Sequence, residues 1–140
     1  MGESGPWETH YFISRRGDSP VQDFLGALPL KARAKCFAYI DALEAEGLSL
    51  PACYVKKVAD DLWELRPEYG GTEYRFFYFT LVRRRFVIVH AVAKKSQRLK
   101  TRDVKLALDR VRETRERLQE GEDNADSKLQ EPSPIRPRTD

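Results

Sequence analysis

Four basic residues stand where apolar runs begin or end. Arg66 closes Leu62-Trp63-Glu64-Leu65, Arg75 follows Tyr74 at the start of an aromatic run, and Lys94-Lys95 close the run from Phe86 to Ala93. Guanidinium and ammonium groups bind phosphate, and they stabilise the charge a phosphorus centre gathers when it is attacked. Arg66 and Arg75 can converge across a sheet, with Lys94 and Lys95 arriving from the end of the next strand. Clustering of this kind lowers a lysine's pKa from its reference of about 10.4 and makes it a better proton donor. Lys95 is the first choice for protonating a departing oxygen and Lys94 the second. In competition with this chemistry stand ion pairs of Arg66 and Arg75 with Glu64, Glu68 or Glu73, and a simple charged strand terminus at Lys94-Lys95.

Further basic residues are suited to holding a polyanion in place: Arg83, Arg84 and Arg85 between two apolar runs, and Arg98, Lys100 and Arg102 further on. Their alternative is a solvated turn that protects a sheet edge. Antiparallel pairing of the two runs would put Arg83–Arg85 and Lys94-Lys95 at opposite strand ends. Tyr69, beside Gly70-Gly71, is the aromatic residue best placed to stack on an unpaired base, whereas Tyr74 and Tyr78 fit a core. His90 lies inside an apolar run, in step with Ile88 and Val92, and is expected to be a hydrogen-bonded sheet histidine. His10 has no partner in the sequence pattern.

The net charge of +3 averages two unlike parts. From Arg83 to Lys105 nine Lys/Arg face one acid, Asp103, a local excess of +8. From Glu120 to Asp140 six acids face three basic residues. Concentrated positive charge points to nucleic acid or to an acidic protein partner. A composition of 41% hydrophobic and 34% charged residues fits one globular domain with a charged surface. Cys36 and Cys53 form neither a disulfide framework nor a zinc pattern, so no metal or other cofactor is expected. With no basic, apolar leader and no long apolar stretch, a reducing cytoplasm is the expected setting.

These residues need elements to position them. Tyr11-Phe12-Ile13 reads as a strand ending in a turn. Ser19-Pro20 starts a short helix to Leu28, and Pro29 starts a second in which Leu30, Ala34, Phe37, Ile40 and Leu43 share a face before Gly47 ends it. Leu48 is expected to fold back over the last turn. Tyr54-Val55 and Leu62 to Arg66 follow as strands, with Trp63 and Leu65 on one side and Glu64 and Arg66 on the other. Pro67 to Thr72 reads as a loop. Tyr74–Leu81 and Phe86–Ala93 form a hairpin covered on both faces. A last helix from Thr101 buries Val104, Ala107, Leu108, Val111 and Leu118. The order predicts an α+β fold with an N-terminal helix pair, an antiparallel or mixed sheet and a C-terminal helix, over residues 1–120. Residues 121–140, lacking periodicity, are expected to form a disordered acidic tail, whose Glu120, Glu122, Asp123 and Asp126 could screen the basic surface.

Three separated segments carry a family resemblance: Leu62-Trp63-Glu64-Leu65-Arg66; Gly70-Gly71 with Glu73-Tyr74-Arg75-Phe76-Phe77-Tyr78; and His90-Ala91-Val92-Ala93-Lys94-Lys95-Ser96-Gln97. In order and context they resemble the "LWELR…YR.FY…H.F.KK.Q" series of phage-type HigB toxins, a branch of the RelE/ParE superfamily, over about Tyr11 to Glu113. The resemblance implies a RelE-like fold and a cognate antitoxin, often of the helix-turn-helix type. It also implies metal-independent cleavage of messenger RNA, commonly on the ribosome, and strengthens Arg75 as a catalytic residue. Val92 replaces the usual Phe of the third segment, and Trp63 and Glu64 stand where some RelE relatives carry basic residues, so no general base is assigned. The same scaffold also serves ParE-like inhibitors of DNA gyrase and is compatible with a non-catalytic nucleic-acid-binding module.

Overall fold

The two densest apolar runs form the two longest strands, β5 (Thr72–Leu81) and β6 (Arg85–Lys94), paired antiparallel at the centre of the sheet. The computed structural model describes residues 6–94, 101–123 and 132–139. Before the hairpin come β1 (Glu8–Phe12), α1 (Pro20–Ala27), α2 (Leu30–Glu46), β2 (Val55–Ala59), β3 (Leu62–Leu65) and β4 (Glu68–Tyr69). After it come α3 (Thr101–Asp123) and β7 (Ile135–Pro137). The seven strands make one sheet in the order β2-β3-β5-β6-β1-β7, with β4 also on β5. β1 runs parallel to β6 and the other pairs are antiparallel, so the sheet is mixed and the fold is RelE-like α+β.

Because side chains alternate along a strand, β5 serves two cores at once. Tyr74, Phe76 and Tyr78 meet Val21 and Leu25 of α1 and Cys36, Ile40 and Leu43 of α2. Phe77 and Phe79 meet Ala107 and Val111 of α3. Continuous apolarity in the sequence reports this two-sided cover.

The buried face of α2 is rotated from the expected one. Ala32, Cys36, Ile40 and Leu43 are buried, whereas Leu30 is 76% exposed and Ala34 is also exposed. Leu48 lies outside and Leu50 fills the space beneath the helix end. On α3, Ala107 and Val111 are buried with Val104 against them, but Leu108 is exposed and Thr114 and Arg117 take its place inside. Arg117 is admitted because its guanidinium donates to the carbonyls of Ile13 and Pro132 and pairs with Glu113.

Two further expectations are corrected. The loop after Pro67 is a tight hairpin in which Gly70 and Gly71 take φ +62° and +82°, the sign pair a two-residue turn requires. Residues 132–139 are not a free tail: β7 pairs with β1, and Ile135 is buried in the α3-side core. Arg138 anchors the strand on Asp41 at 2.6 Å and Glu44 at 3.0 Å. Composition missed this strand because its binding energy comes from a ready-made sheet edge and two distant carboxylates. Of the acids expected to screen the basic surface, Glu120 instead lies against Arg15. Asp126 falls outside the described residues.

Candidate functional site

One irregularity decides which side chains meet. Phe77 pairs with His90 but the next residue, Tyr78, pairs with Ile88, so Val89 is an extra residue, a β-bulge. Before it, Phe86 and Ile88 face the α1/α2 core while Val87 and Val89 face α3. After it the alternation is shifted by one, and His90, Val92 and Lys94 all lie on the α3 side. His90 is therefore out of step with Ile88, contrary to the simple alternation read from sequence.

The resulting surface is a set of cross-strand rows on the α3 side of the sheet. Glu64, Phe77 and His90 form the first, with Glu64 paired to Phe77 and Phe77 to His90. Arg75 and Val92 form the second, and Glu73 and Lys94 the third. Arg66 follows β3 on the side of Glu64. Asp103, in the first turn of α3, covers the β6 end of these rows.

Charges in this strip are matched. Glu64 is 1% exposed, and its Oε1 lies 3.7 Å from Arg75 Nη1 and 3.6 Å from Arg66 Nε. Arg75 is also buried and donates from Nη2 to Glu73 Oε2 at 2.8 Å. Lys94 Nζ donates to Asp103 Oδ2 at 3.0 Å, and His90 Nε2 is 3.0 Å from Asp103 Oδ1. An ion taken fully out of water loses several kcal/mol of solvation, so three buried or half-buried cations require these three carboxylates. The strip as a whole is neutral.

Burial pushes the Glu64 carboxyl above its ordinary range, and Arg75, Arg66 and Lys56 only partly oppose this. Its Oε2 is buried without a hydrogen-bond partner among the described residues. Desolvation also acts on Asp103, but hydrogen bonds from His90 and Lys94 and their charge overcome it and hold Asp103 below the usual carboxylate range. His90 is pushed down by burial; the Asp103 hydrogen bond raises it, while Arg110 and Lys94 lower it further. Thus Lys94 and Asp103 are the ion pair, and His90 joins it as a neutral ring donating Nε2–H.

The structure brings Arg66, Arg75 and Lys94 to one end of one face. The carboxylate partners foreseen for the two arginines, Glu64 and Glu73, are the ones used, while Glu68 pairs with Glu73 only as a strand neighbour. Lys95, Arg98 and Lys100 lie outside the described residues. Arg102 is exposed beside Asp103. Tyr69 is 42% exposed at the Gly70-Gly71 turn, one pairing step beyond Glu73. Tyr78 is packed beneath the α1/α2 core and burial pushes its phenol up, which excludes it as a proton carrier near neutral pH.

Arg83, Arg84 and Arg85 are elsewhere. Lys94 is nine residues along β6 from Arg85, which at about 3.3 Å per residue is roughly 30 Å. Arg83 is exposed, Arg84 lies over the Trp7 ring at 5.0 Å and Arg85 Nε donates to the Val82 carbonyl. The basic residues therefore form two regions, not one surface. Asp103 was the residue missed; as the one acid among nine basic residues it carried a signal, since a lone acid in such a stretch marks a specific partner.

Residues 23–112 match the family described as "Phage derived protein Gp49-like (DUF891)". The chain belongs to that family. The Gp49-like match, to a family of RelE/HigB-like type, includes the three segments that resembled phage-type HigB. Among curated proteins no significant match is found. Within the Gp49-like domain, the matched strip spans β3, β5, β6 and the start of α3. Among the described residues no helix is long and apolar enough to cross a membrane.

Proposed function

We propose that this Gp49-like chain is the toxin of a type II toxin–antitoxin pair and an endoribonuclease that cleaves ribosome-bound mRNA without a metal. The observation that supports it is the gathering of Arg66, Arg75 and Lys94 from three strand ends into one strip. In this reading Arg75, supported by Arg66, stabilises the charge on the attacked phosphate. Lys94 adds to the local potential, and Lys95 protonates the departing 5′-oxygen. Exposed Arg102 adjoins the strip beside Asp103 and suits an RNA backbone contact. Tyr69, paired with Thr72 and so on the other face of the turn, is assigned a base contact from sequence. Arg98 and Lys100 are likewise assigned backbone contacts from sequence, and Arg83–Arg85 a separate contact at the hairpin tip. The partners are mRNA, the ribosome and a helix-turn-helix antitoxin that covers the strip, in the cytoplasm.

Induced expression of wild type, Arg75→Ala and Lys95→Ala in a bacterial host, with primer-extension mapping of transcript ends, tests this. Growth arrest with new ends inside translated mRNA, lost in both variants, is the expected result. One observation favours a second reading: the strip is already charge-neutral, as a binding surface of a non-catalytic module or a ParE-like gyrase inhibitor would allow. Arrest with DNA damage and intact transcripts would establish that alternative.

A further inference from the structure

His90 is the one titratable residue of the strip that neither the ion pairs nor the proposed roles consume. Its ring is stacked on Phe77 at 5.7 Å and 17°, which fixes its plane. Asp103 accepts from Nε2 and thereby fixes the tautomer: the proton sits on Nε2 and the lone pair on Nδ1. Nδ1 makes no hydrogen bond among the described residues, and the side chain remains 14% exposed. A carboxylate behind one imidazole nitrogen with the other left open is the arrangement by which an acid orients a general base and stabilises the imidazolium it becomes.

Building on the ribonuclease reading, we propose that His90 is the general base of the reaction and that Asp103 is its positioning residue. Nδ1 takes the proton from a ribose 2′-hydroxyl. The 2′-oxygen then forms a bond to phosphorus, the P–O5′ bond breaks, and the 5′-oxygen leaves with a proton from water. The products are a 2′,3′-cyclic phosphate and a 5′-hydroxyl. His90 returns to its starting state by giving the proton back to water, so the protons balance and no co-reactant is needed.

The charged neighbours fit the task. Asp103 and Arg110 face the ring from α3, Lys94 from β6, and Arg75 and Glu64 stand in the adjoining positions of β5 and β3. Burial with Arg110 and Lys94 keeps the ring neutral at pH 7, as a base must be, while Asp103 prevents a deeper fall.

The test uses the purified full-length chain in a translation reaction programmed with a short defined mRNA, assayed from pH 5 to 8. Wild type, His90→Gln, His90→Ala and Asp103→Asn are compared, with folding followed by circular dichroism. His90→Gln keeps a donor toward Asp103 but has no titrating acceptor. The expected result is cleavage that rises with pH through an apparent pKa below 6.5 in wild type. That limb should be absent in His90→Gln, with the rate down by about 10²–10⁴-fold. Added imidazole should partly restore His90→Ala, and Asp103→Asn should move the limb. Undiminished cleavage by folded His90→Gln overturns the proposal while leaving the ribonuclease reading standing. No cleavage by wild type overturns both.

Discussion

Lys94 and Asp103 form a 3.0 Å ion pair that joins the last residue of β6 to the first turn of α3 across the intervening segment 95–100. The side chains are only 7% and 11% exposed, so water does little to screen them. Removing one partner leaves a largely buried charge, which commonly costs about 3–5 kcal/mol. Lys94→Ala is therefore expected to lower stability by about 2–4 kcal/mol, at the lower side of that range because His90 still holds Asp103. Urea unfolding followed by fluorescence measures it. The His90 pKa should rise in the same variant, since a repelling cation is gone, and NMR titration of the ring reads that directly.

Asp103 makes stability depend on acid. Its folded pKa is depressed, so the folded state binds fewer protons than the unfolded one below the ordinary value of 3.8. The stability it contributes is present above that value and is lost as pH falls through the folded pKa. His90 acts in the same direction higher up: its folded pKa lies below 6.5, so its contribution is complete above 6.5 and declines as pH falls toward the folded value. Unfolding free energies of wild type minus His90→Gln should therefore decrease between pH 7 and 5. A flat difference would contradict the lowered pKa.

Arg75 meets Glu64 and Glu73 through different nitrogens, which a lysine cannot reproduce. Under the ribonuclease reading, both Arg75→Ala and Arg75→Lys are expected to reduce transcript cleavage by about 10²-fold or more, the usual cost of one lost charge-stabilising donor. Primer extension across a time course gives the rate. Recovery of near wild-type cleavage in Arg75→Lys would show that charge alone suffices there.

Ending the chain at residue 131 removes β7. The deletion takes away the pairing of β7 with β1, the backbone hydrogen bonds of Ile13 N–H to Pro134 and of Arg138 N–H to Thr9, the burial of Ile135 and the Arg138 pairs with Asp41 and Glu44. At about 1 kcal/mol net for each of those two hydrogen bonds and roughly 1.5–3 kcal/mol for the isoleucine, a loss of about 3.5–5 kcal/mol or more is expected. The bared β1 edge should also promote self-association, visible by light scattering.

Gly47 ends α2 at φ +55°, and a Cβ there would collide with the Trp7 indole. Trp7 cannot readily yield, being stacked on Phe86 at 4.3 Å with Arg84 over its ring. Gly47→Ala is expected to cost about 2 kcal/mol or more through strain and displacement of that stack. Loss of native tryptophan fluorescence in the variant would locate the damage.

Much of this was legible in the sequence because it follows local rules. Pro20 and Pro29 starting helices, Trp63 and Leu65 opposite Glu64 and Arg66, and the hairpin through Arg83-Arg84 are set by residues within one or two turns of each other. Ion partners for Arg66 and Arg75 were visible for the same reason, since Glu64 and Glu73 are two residues away on the same strand face. Other features depend on distant chain. The burial of Arg117 requires carbonyls of Ile13 and Pro132, β7 requires Asp41 and Glu44, and the role of Asp103 requires a helix laid over β6. The rotation of the α2 face had a different cause: small Ala32 and Cys36 suit a close approach to the sheet better than Leu30, and hydrophobicity alone favours the larger residue.

The extra residue at Val89 has a last consequence, for how this domain tolerates change in length. Strand parity is binary, and the bulge is the place where β6 can give up a residue without changing it. Deleting Val89 would make Ile88 and His90 ordinary neighbours on opposite faces, so His90, Val92 and Lys94 would keep the α3 side. Losing a residue from the regular part of the strand, Ala91 for example, would instead send Lys94 toward the α1/α2 core. Length change in β6 is thus absorbed at one position and filtered by even and odd number at the others.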